Sequence, residues 1–208
     1  WLRETYRTPL DLSVATCYFN LGGFTHLAPA IESLPKFRLL LGAAPLPSVP
    51  HRRSRLDQLR GRRFQDEAFR AAMEDTEKEL RDELNLLGFN EEEDAAGRRL
   101  VAFLRSGRAE VRLYRKAFLH GKAFIFGTDE GVLAGSSNFT SAGLTQNLEL
   151  NLGNYQPSVS ARVKEWFDLH WGEADPYDLA ALYEARYREY PPFWIFLRVL
   201  WEKYKGEI

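Results

Sequence analysis

Near its start the chain reads strand, helix, strand, and that order restricts the fold more than any other feature. "LSVATCYF", Leu12 to Phe19, is apolar and rich in β-formers, as a buried strand requires. "NLGGF" reads as a turn into "THLAPAIESL", a short helix with Thr25 as its N-cap. "KFRLLLGA", Lys36 to Ala43, is a second strand. Two strands joined through a helix lie parallel, because parallel neighbours need a crossover connection. The pattern therefore predicts an α/β fold built on a parallel or mixed sheet.

The middle of the chain changes character. "PLPSVPHRRSRLDQLRGRR" holds Arg52, Arg53, Arg55, Arg60, Arg62 and Arg63 and reads as a basic loop. "FQDEAFRAAMEDTEKELRDELNLLG" reads as a long amphipathic helix with Phe64, Phe69, Leu80, Leu84 and Leu87 on its apolar side. "EEEDAAGRRLVAFLRSG" is another helix, acidic first and basic later, as the helix dipole favours. Strands then return. "AEVRLYR" alternates, "AFIFG" and "GVLAGSS" form a hairpin through "GTDEG", and "NLELNLGNY" is a further strand with alternating leucines. Helical patterns finish the chain. The organisation expected is a single domain over 1–208, with a basic loop and helical insertion at 45–108 and a helical extension at 174–208.

A chain of 208 residues, 45% hydrophobic and 27% charged, supports one well-cored globular domain. The net charge of -1 gives no global field for nucleic acid, so any basic surface is local. Cys17 is the only cysteine, which excludes an intrachain disulfide and fits a reduced, cytoplasmic compartment. No signal peptide or membrane-length apolar run is visible, so no membrane partner is expected. The start at Trp1 and the charged end fit a piece of a longer protein.

The chemistry concentrates between His120 and Glu149. On a strand, residues two apart share a face, so His120 and Lys122 point the same way. A phosphate beside them would meet a nucleophile and a fixed positive charge. "GSSN", Gly135 to Asn138, follows the hairpin. Its glycine lets the backbone approach closely, and Ser136, Ser137 and Asn138 offer donors to phosphate oxygens. Glu149 lies on the next strand, where a carboxylate would fix the imidazole tautomer. Alone, His-x-Lys reads as a surface pair and GSSN as a turn; their conjunction with a following acid gives the functional reading its weight. No metal-ligand cluster is visible, and no cofactor is expected.

This conjunction resembles the phospholipase D superfamily, whose signature is His-x-Lys-xxxx-Asp-xxxxxx-Gly-Ser-x-Asn. "NFTSAGLTQNLEL" is similar to its single-motif nuclease members, and the strand-helix-strand start resembles the opening of half of such a fold. The resemblance runs from about residue 10 to 170, with 45–108 outside the shared core. A further resemblance is to phospholipase D-like domains that precede the motor in bacterial Swi/Snf-type helicases. The motif aspartate falls at Gly127, and Asp129, two residues later, is the candidate supporting acid.

The resemblance implies a phospholipase D-like half: a mixed β-sheet flanked by helices, with a helical insertion and a helical C-terminal extension. It also implies a metal-independent phosphodiesterase working through a phosphohistidine, with a second histidine as general acid. His120, Lys122, Asn138 and Glu149 carry the catalytic roles. His26, His51 and His170 lack the motif and read as surface or packing residues, with His51 also a candidate for a phosphate-binding patch. The second histidine then comes from another copy, and a homodimer is required. Arg52, Arg53 and Arg55 favour DNA as the polyanion, unless that loop simply pairs with the acidic helix behind it. Tyr114, Phe118 and Tyr155 are expected in the core rather than stacked on bases. The alternative is a non-catalytic DNA-binding or dimerisation module of a helicase or restriction-type protein.

Overall fold

The computed structural model describes residues 10–42, 91–185 and 192–204. The arginine cluster and the long amphipathic helix expected between 43 and 90 lie outside the described residues.

Seven strands make one mixed sheet, in the order β6-β5-β4-β1-β2-β3-β7. β1 (Leu12–Thr16) pairs in parallel with β2 (Phe37–Gly42), and β2 pairs in parallel with β3 (Ala109–Tyr114). On the other side of β1 the sheet turns antiparallel through β4 (Lys122–Phe126), β5 (Gly131–Gly135) and β6 (Asn151–Asn154). The two-residue β7 (Asp175–Pro176) closes the far edge, antiparallel to β3. β1 is therefore the seam between a parallel and an antiparallel half. All five of its residues are buried, as expected of a strand covered on both faces.

Alternation along β1 divides the core. Leu12 and Val14 join Phe37, Leu39, Leu41, Leu113 and Phe126 on one face. That face is covered by α1 (Leu21–Ile31), α2 (Glu91–Leu104) and α5 (Leu179–Glu184) through Phe24, Ile31, Leu100, Phe103 and Leu179. Ala15 turns the other way and joins Leu40, Ala123, Ile125 and Val132 against Phe167 and Trp171 of α4 (Pro157–Glu173). Two guanidinium groups lie under that helix without being stranded. Arg38 donates to Ser13 Oγ at 2.9 Å and to Asp168 at 2.9 Å, and it packs on the Phe167 ring. Arg112 donates to the Trp171 carbonyl at 2.8 Å and packs on that residue's ring. α2 lies in the stretch read as a helical insertion, yet Leu100 and Phe103 bind its C-terminal half to the core ahead of β3.

Two local expectations change. The helix after β1 begins at Leu21, so "NLGGF" is helical rather than a turn, and its N-cap is Asn20 instead of Thr25. Asn20 Oδ1 accepts from Gly23 N at 2.8 Å, whereas the Thr25 hydroxyl donates back to the Leu21 carbonyl at 2.9 Å. The strand read over "NLELNLGNY" narrows to β6, and Leu148, Leu150 and Leu152 are exposed. Asp129 and Gly127 lie in the β4–β5 turn, at the far end of the hairpin from His120. Gly127 has φ +60°, and a side chain there would overlap Glu130. The Glu130 carboxylate closes the turn by accepting from the N–H groups of Thr128 at 2.7 Å and Asp129 at 3.1 Å. Among the described residues, no helix is long and apolar enough to cross a membrane; α6 (Pro192–Tyr204) has 13 residues.

The loop between β5 and α3 (Ser141–Thr145) is pinned by Phe139. Its ring is fully buried, with centroids 5.2 Å from Phe19, 5.9 Å from Phe124 and 6.3 Å from Phe37. Truncating so large a core ring leaves a cavity that packed neighbours fill only in part. Phe139→Ala is expected to lower unfolding free energy by about 3–5 kcal/mol in urea titrations, with Phe139→Leu costing less. A loss under about 1 kcal/mol would show that the loop is not anchored this way.

Candidate active site

Cross-strand register assembles one side of the site. Ala15 of β1 pairs with Ala123 of β4, so the next residue on each strand, Thr16 and Lys122, lie side by side. Lys122 pairs in turn with Gly135 of β5, and Gly135 with Asn151 of β6. A Cβ at Gly135 would overlap the Leu150 carbonyl and lie 2.7 Å from Asn151 Cα, so the motif glycine is required by this close approach. Beside it, Asn151 Nδ2 donates to Ser137 Oγ at 2.6 Å and Asn151 Oδ1 accepts from Ser137 N at 3.4 Å.

His120 lies just ahead of β4 and is exposed. Its ring lies 5.3 Å from the Phe118 ring, and its nitrogens make no hydrogen bond among the described residues. Gly121 separates it from Lys122 and packs against Trp166 of α4; an added Cβ would be 3.2 Å from that indole.

Lys122 is only 6% exposed, and among the described residues its ammonium has no hydrogen-bond partner. Burial pushes its pKa below the ordinary 10.5, with Cys17 and Glu149 acting in the opposite direction. A cation at the mouth of a largely buried side chain, short of acceptors among the described residues, is suited to an anionic oxygen from outside. Among the described residues, Glu149 makes no hydrogen bond to His120. Its carboxylate accepts from Ser136 Oγ and, at 3.2 Å, from Asn147 Nδ2. Those bonds, Ser136 first, hold it below the usual carboxylate range, and Lys122 adds to the effect.

Asn138 is fixed from β1. Its Oδ1 accepts from the Tyr18 N–H at 3.3 Å and lies 3.4 Å from the Thr16 hydroxyl. Its Nδ2 has no acceptor among the described residues. The register and bonding thus gather Lys122, Ser136, Ser137, Asn138 and Glu149 at one end of the sheet, where His120 leads into β4. Asp129 lies at the other end of the hairpin, and Arg52, Arg53, Arg55 and His51 lie outside the described residues. Among the described residues, no group of three or more His, Cys, Asp or Glu side chains could hold a metal ion.

Residues that the motif does not mark complete the arrangement: Thr16, Tyr18, Asn147 and Asn151. Asn147 and Asn151 flank Glu149 at spacing two, the one sequence sign available for them. Tyr114 is buried, as expected, and donates to Glu173 at 3.2 Å. Phe118 and Tyr155 are exposed rather than in the core. His26 is exposed and bonded to Ser141 Oγ at 3.0 Å, and His170 lies against Trp166 with Nδ1 2.7 Å from that residue's carbonyl.

The family model described as "Cardiolipin synthase, PLD-like domain" matches residues 66–171, a little over half of the chain. The chain therefore belongs to the phospholipase D-like family. Among solved structures, it is similar to Nuc from Salmonella typhimurium, a phospholipase D family member, with 12% identity and a TM-score of 0.44 over 85% of this chain and 86% of that one. NucT from Helicobacter pylori gives 13% identity and a TM-score of 0.45 over 80% and 82%. Phosphatidylserine synthase from Haemophilus influenzae Rd KW20 gives 16% identity and a TM-score of 0.49 over 84% of this chain but 35% of that one. No curated protein matches the chain.

The depressed basicity of Lys122 has a measurable sign. The folded chain releases this proton at lower pH than the unfolded chain, so stability rises with pH between the folded value and 10.5. The Cε resonance of Lys122 is expected to titrate below 10.5 and to move upward when inorganic phosphate fills the site. Titration at or above 10.5 in the free protein would contradict the buried placement.

Proposed function

We propose that this domain is a phosphodiesterase of nuclease type, acting on DNA through a phosphohistidine at His120, with its active site shared by two copies. The observation that carries the reading is Lys122: a lysine only 6% exposed, whose ammonium has no hydrogen-bond partner among the described residues, two positions from an exposed imidazole. Asn138 Nδ2 and the Ser136–Ser137 segment supply further donors to the same phosphate.

In the first step a His120 nitrogen attacks phosphorus, an N–P bond forms, and the bond to the leaving oxygen breaks. The partner subunit's His120 protonates that oxygen. Water then attacks the phosphohistidine, passes its proton to the partner subunit's His120, and frees the imidazole as the N–P bond breaks. Lys122 and Asn138 stabilise charge on the non-bridging oxygens throughout.

The need for a second copy rests on the histidines. His26 and His170 are engaged elsewhere, with Ser141 and with Trp166, and His51 lacks the motif lysine and the following Gly-Ser-x-Asn. The surface beside the site supports an apposed copy: Leu148, Leu150 and Leu152 alternate with Glu149 and Asn151 at the sheet edge and are 105%, 73% and 71% exposed. Such an exposed apolar run, leading into the edge strand β6, invites a partner. The arginines from Arg52 to Arg63 favour DNA over a neutral substrate. The resemblance to domains ahead of Swi/Snf-type motors extends the proposal to a fused helicase that delivers the DNA.

A labelled DNA phosphodiester assayed in chelator tests the reading. His120→Ala is expected to lose about a thousandfold or more in kcat, the scale seen when a nucleophile is removed. Leu150→Asp is expected to lose both the dimer, by light scattering, and the cleavage. Retained cleavage in His120→Ala would refute the enzyme; DNA binding without cleavage by the native chain would make the domain a binding module.

A further inference from the structure

Thr16 lies at the end of β1, wholly buried, and takes no part in the chemistry proposed above. Its hydroxyl accepts from the Phe139 N–H at 3.0 Å and donates to the Tyr18 carbonyl at 2.9 Å. Both partners adjoin Asn138. Phe139 is its neighbour in the chain, and Tyr18 donates its own N–H to Asn138 Oδ1 at 3.3 Å. One hydroxyl therefore ties the end of β1 to the loop that carries the motif asparagine, 122 residues later.

The bond from Tyr18 also settles which way the carboxamide faces. A backbone N–H can only donate, so the atom opposite it is the amide oxygen. Nδ2 is left on the other side of the group, without an acceptor among the described residues. The register sets the Thr16 backbone beside that of Lys122, so the anchor and the lysine share one end of the β1–β4 pair. We infer that Thr16 is a positioning residue: it holds the Asn138 carboxamide so that Nδ2 donates to a non-bridging phosphate oxygen beside Lys122. This rests on the phosphodiesterase reading of the site.

A purely structural role makes a different forecast. If Thr16 only satisfies the Phe139 N–H, its loss lowers stability and leaves turnover alone. If it positions Asn138, turnover falls in protein that is still folded, because catalytic donors must lie close to their productive geometry.

The test uses bis-p-nitrophenyl phosphate with the native chain, Thr16→Ser, Thr16→Val, Asn138→Ala and the Thr16→Val/Asn138→Ala double variant, each checked for thermal unfolding. Thr16→Val, which keeps shape and removes the hydroxyl, is expected to lower kcat about tenfold to a hundredfold with a much smaller change in KM. Thr16→Ser is expected to keep kcat within about threefold, because it keeps the hydroxyl. In the Asn138→Ala background, Thr16→Val is expected to lower kcat no further, since both act through one group. Native kcat in folded Thr16→Val, an equal loss in Thr16→Ser, or additive losses in the double variant would each overturn the inference. If Thr16→Val does not fold, Thr16→Cys takes its place under the same criteria. A His120→Ala control separates the two claims. Activity that survives it refutes the phosphodiesterase reading; activity lost with His120 but untouched by Thr16→Val refutes only the role of Thr16.

Discussion

The anchoring of the β5–α3 loop to the end of β1 is the interaction on which the rest depends. Asn20 N–H donates to the Phe139 carbonyl at 3.2 Å, and Ser141 N–H donates to Asn20 Oδ1 at 3.0 Å. With the Thr16 bond to Phe139 N–H, these contacts join the N-terminal cap of α1 to the loop carrying Ser136, Ser137 and Asn138. The buried Phe139 ring makes the junction part of the core. It also explains a glycine at the start of α1, since a Cβ at Gly23 would lie 2.5 Å from the Phe139 carbonyl oxygen. The site is thus held by the seam between the two halves of the sheet rather than by a free loop.

That anchoring gives the electrostatics their meaning. Withdrawing an ammonium from water costs free energy unless polar groups compensate, and among the described residues the charges acting on Lys122 are Cys17 and Glu149. The fold tolerates the cost because Lys122 is on a strand paired on both sides, opposite a glycine on β5. Glu149 remains half-buried and ionised, bonded to Ser136 and Asn147, so its charge faces the lysine from fixed positions. On the proposed function, a phosphate entering this site would meet donors already held in place by the fold.

Much of this was legible in the sequence, for definite reasons. β1, β2 and their connecting helix were visible because burial on both faces leaves continuous apolar runs such as "LSVAT" and "FRLLLG". The β4–β5 hairpin was visible from its turn, and Lys122, Ser136, Ser137 and Asn138 from their spacing. What sequence did not reveal depends on partners distant in the chain. Asn20 wins the cap over Thr25 because Ser141 and Gly23 both donate to it, and Ser141 lies 121 residues away. Thr16 looked like one more β-branched strand residue until the loop folded onto it. Glu149 was expected on the imidazole, but Ser136 and Asn147 are nearer donors in this chain. The leucines around Glu149 alternate as a core strand does, yet Leu148 and Leu150 precede β6 and all three are exposed.

The central claim is that one chain carries half an active site. Co-expressing native and His120→Ala chains with different tags, and purifying the mixed dimer, tests it directly. A shared site has one nucleophile or one proton donor missing in every mixed dimer, so the account predicts cleavage no higher than that of the pure His120→Ala dimer. Activity near half that of the native dimer would mean that each chain works alone, and would contradict the account.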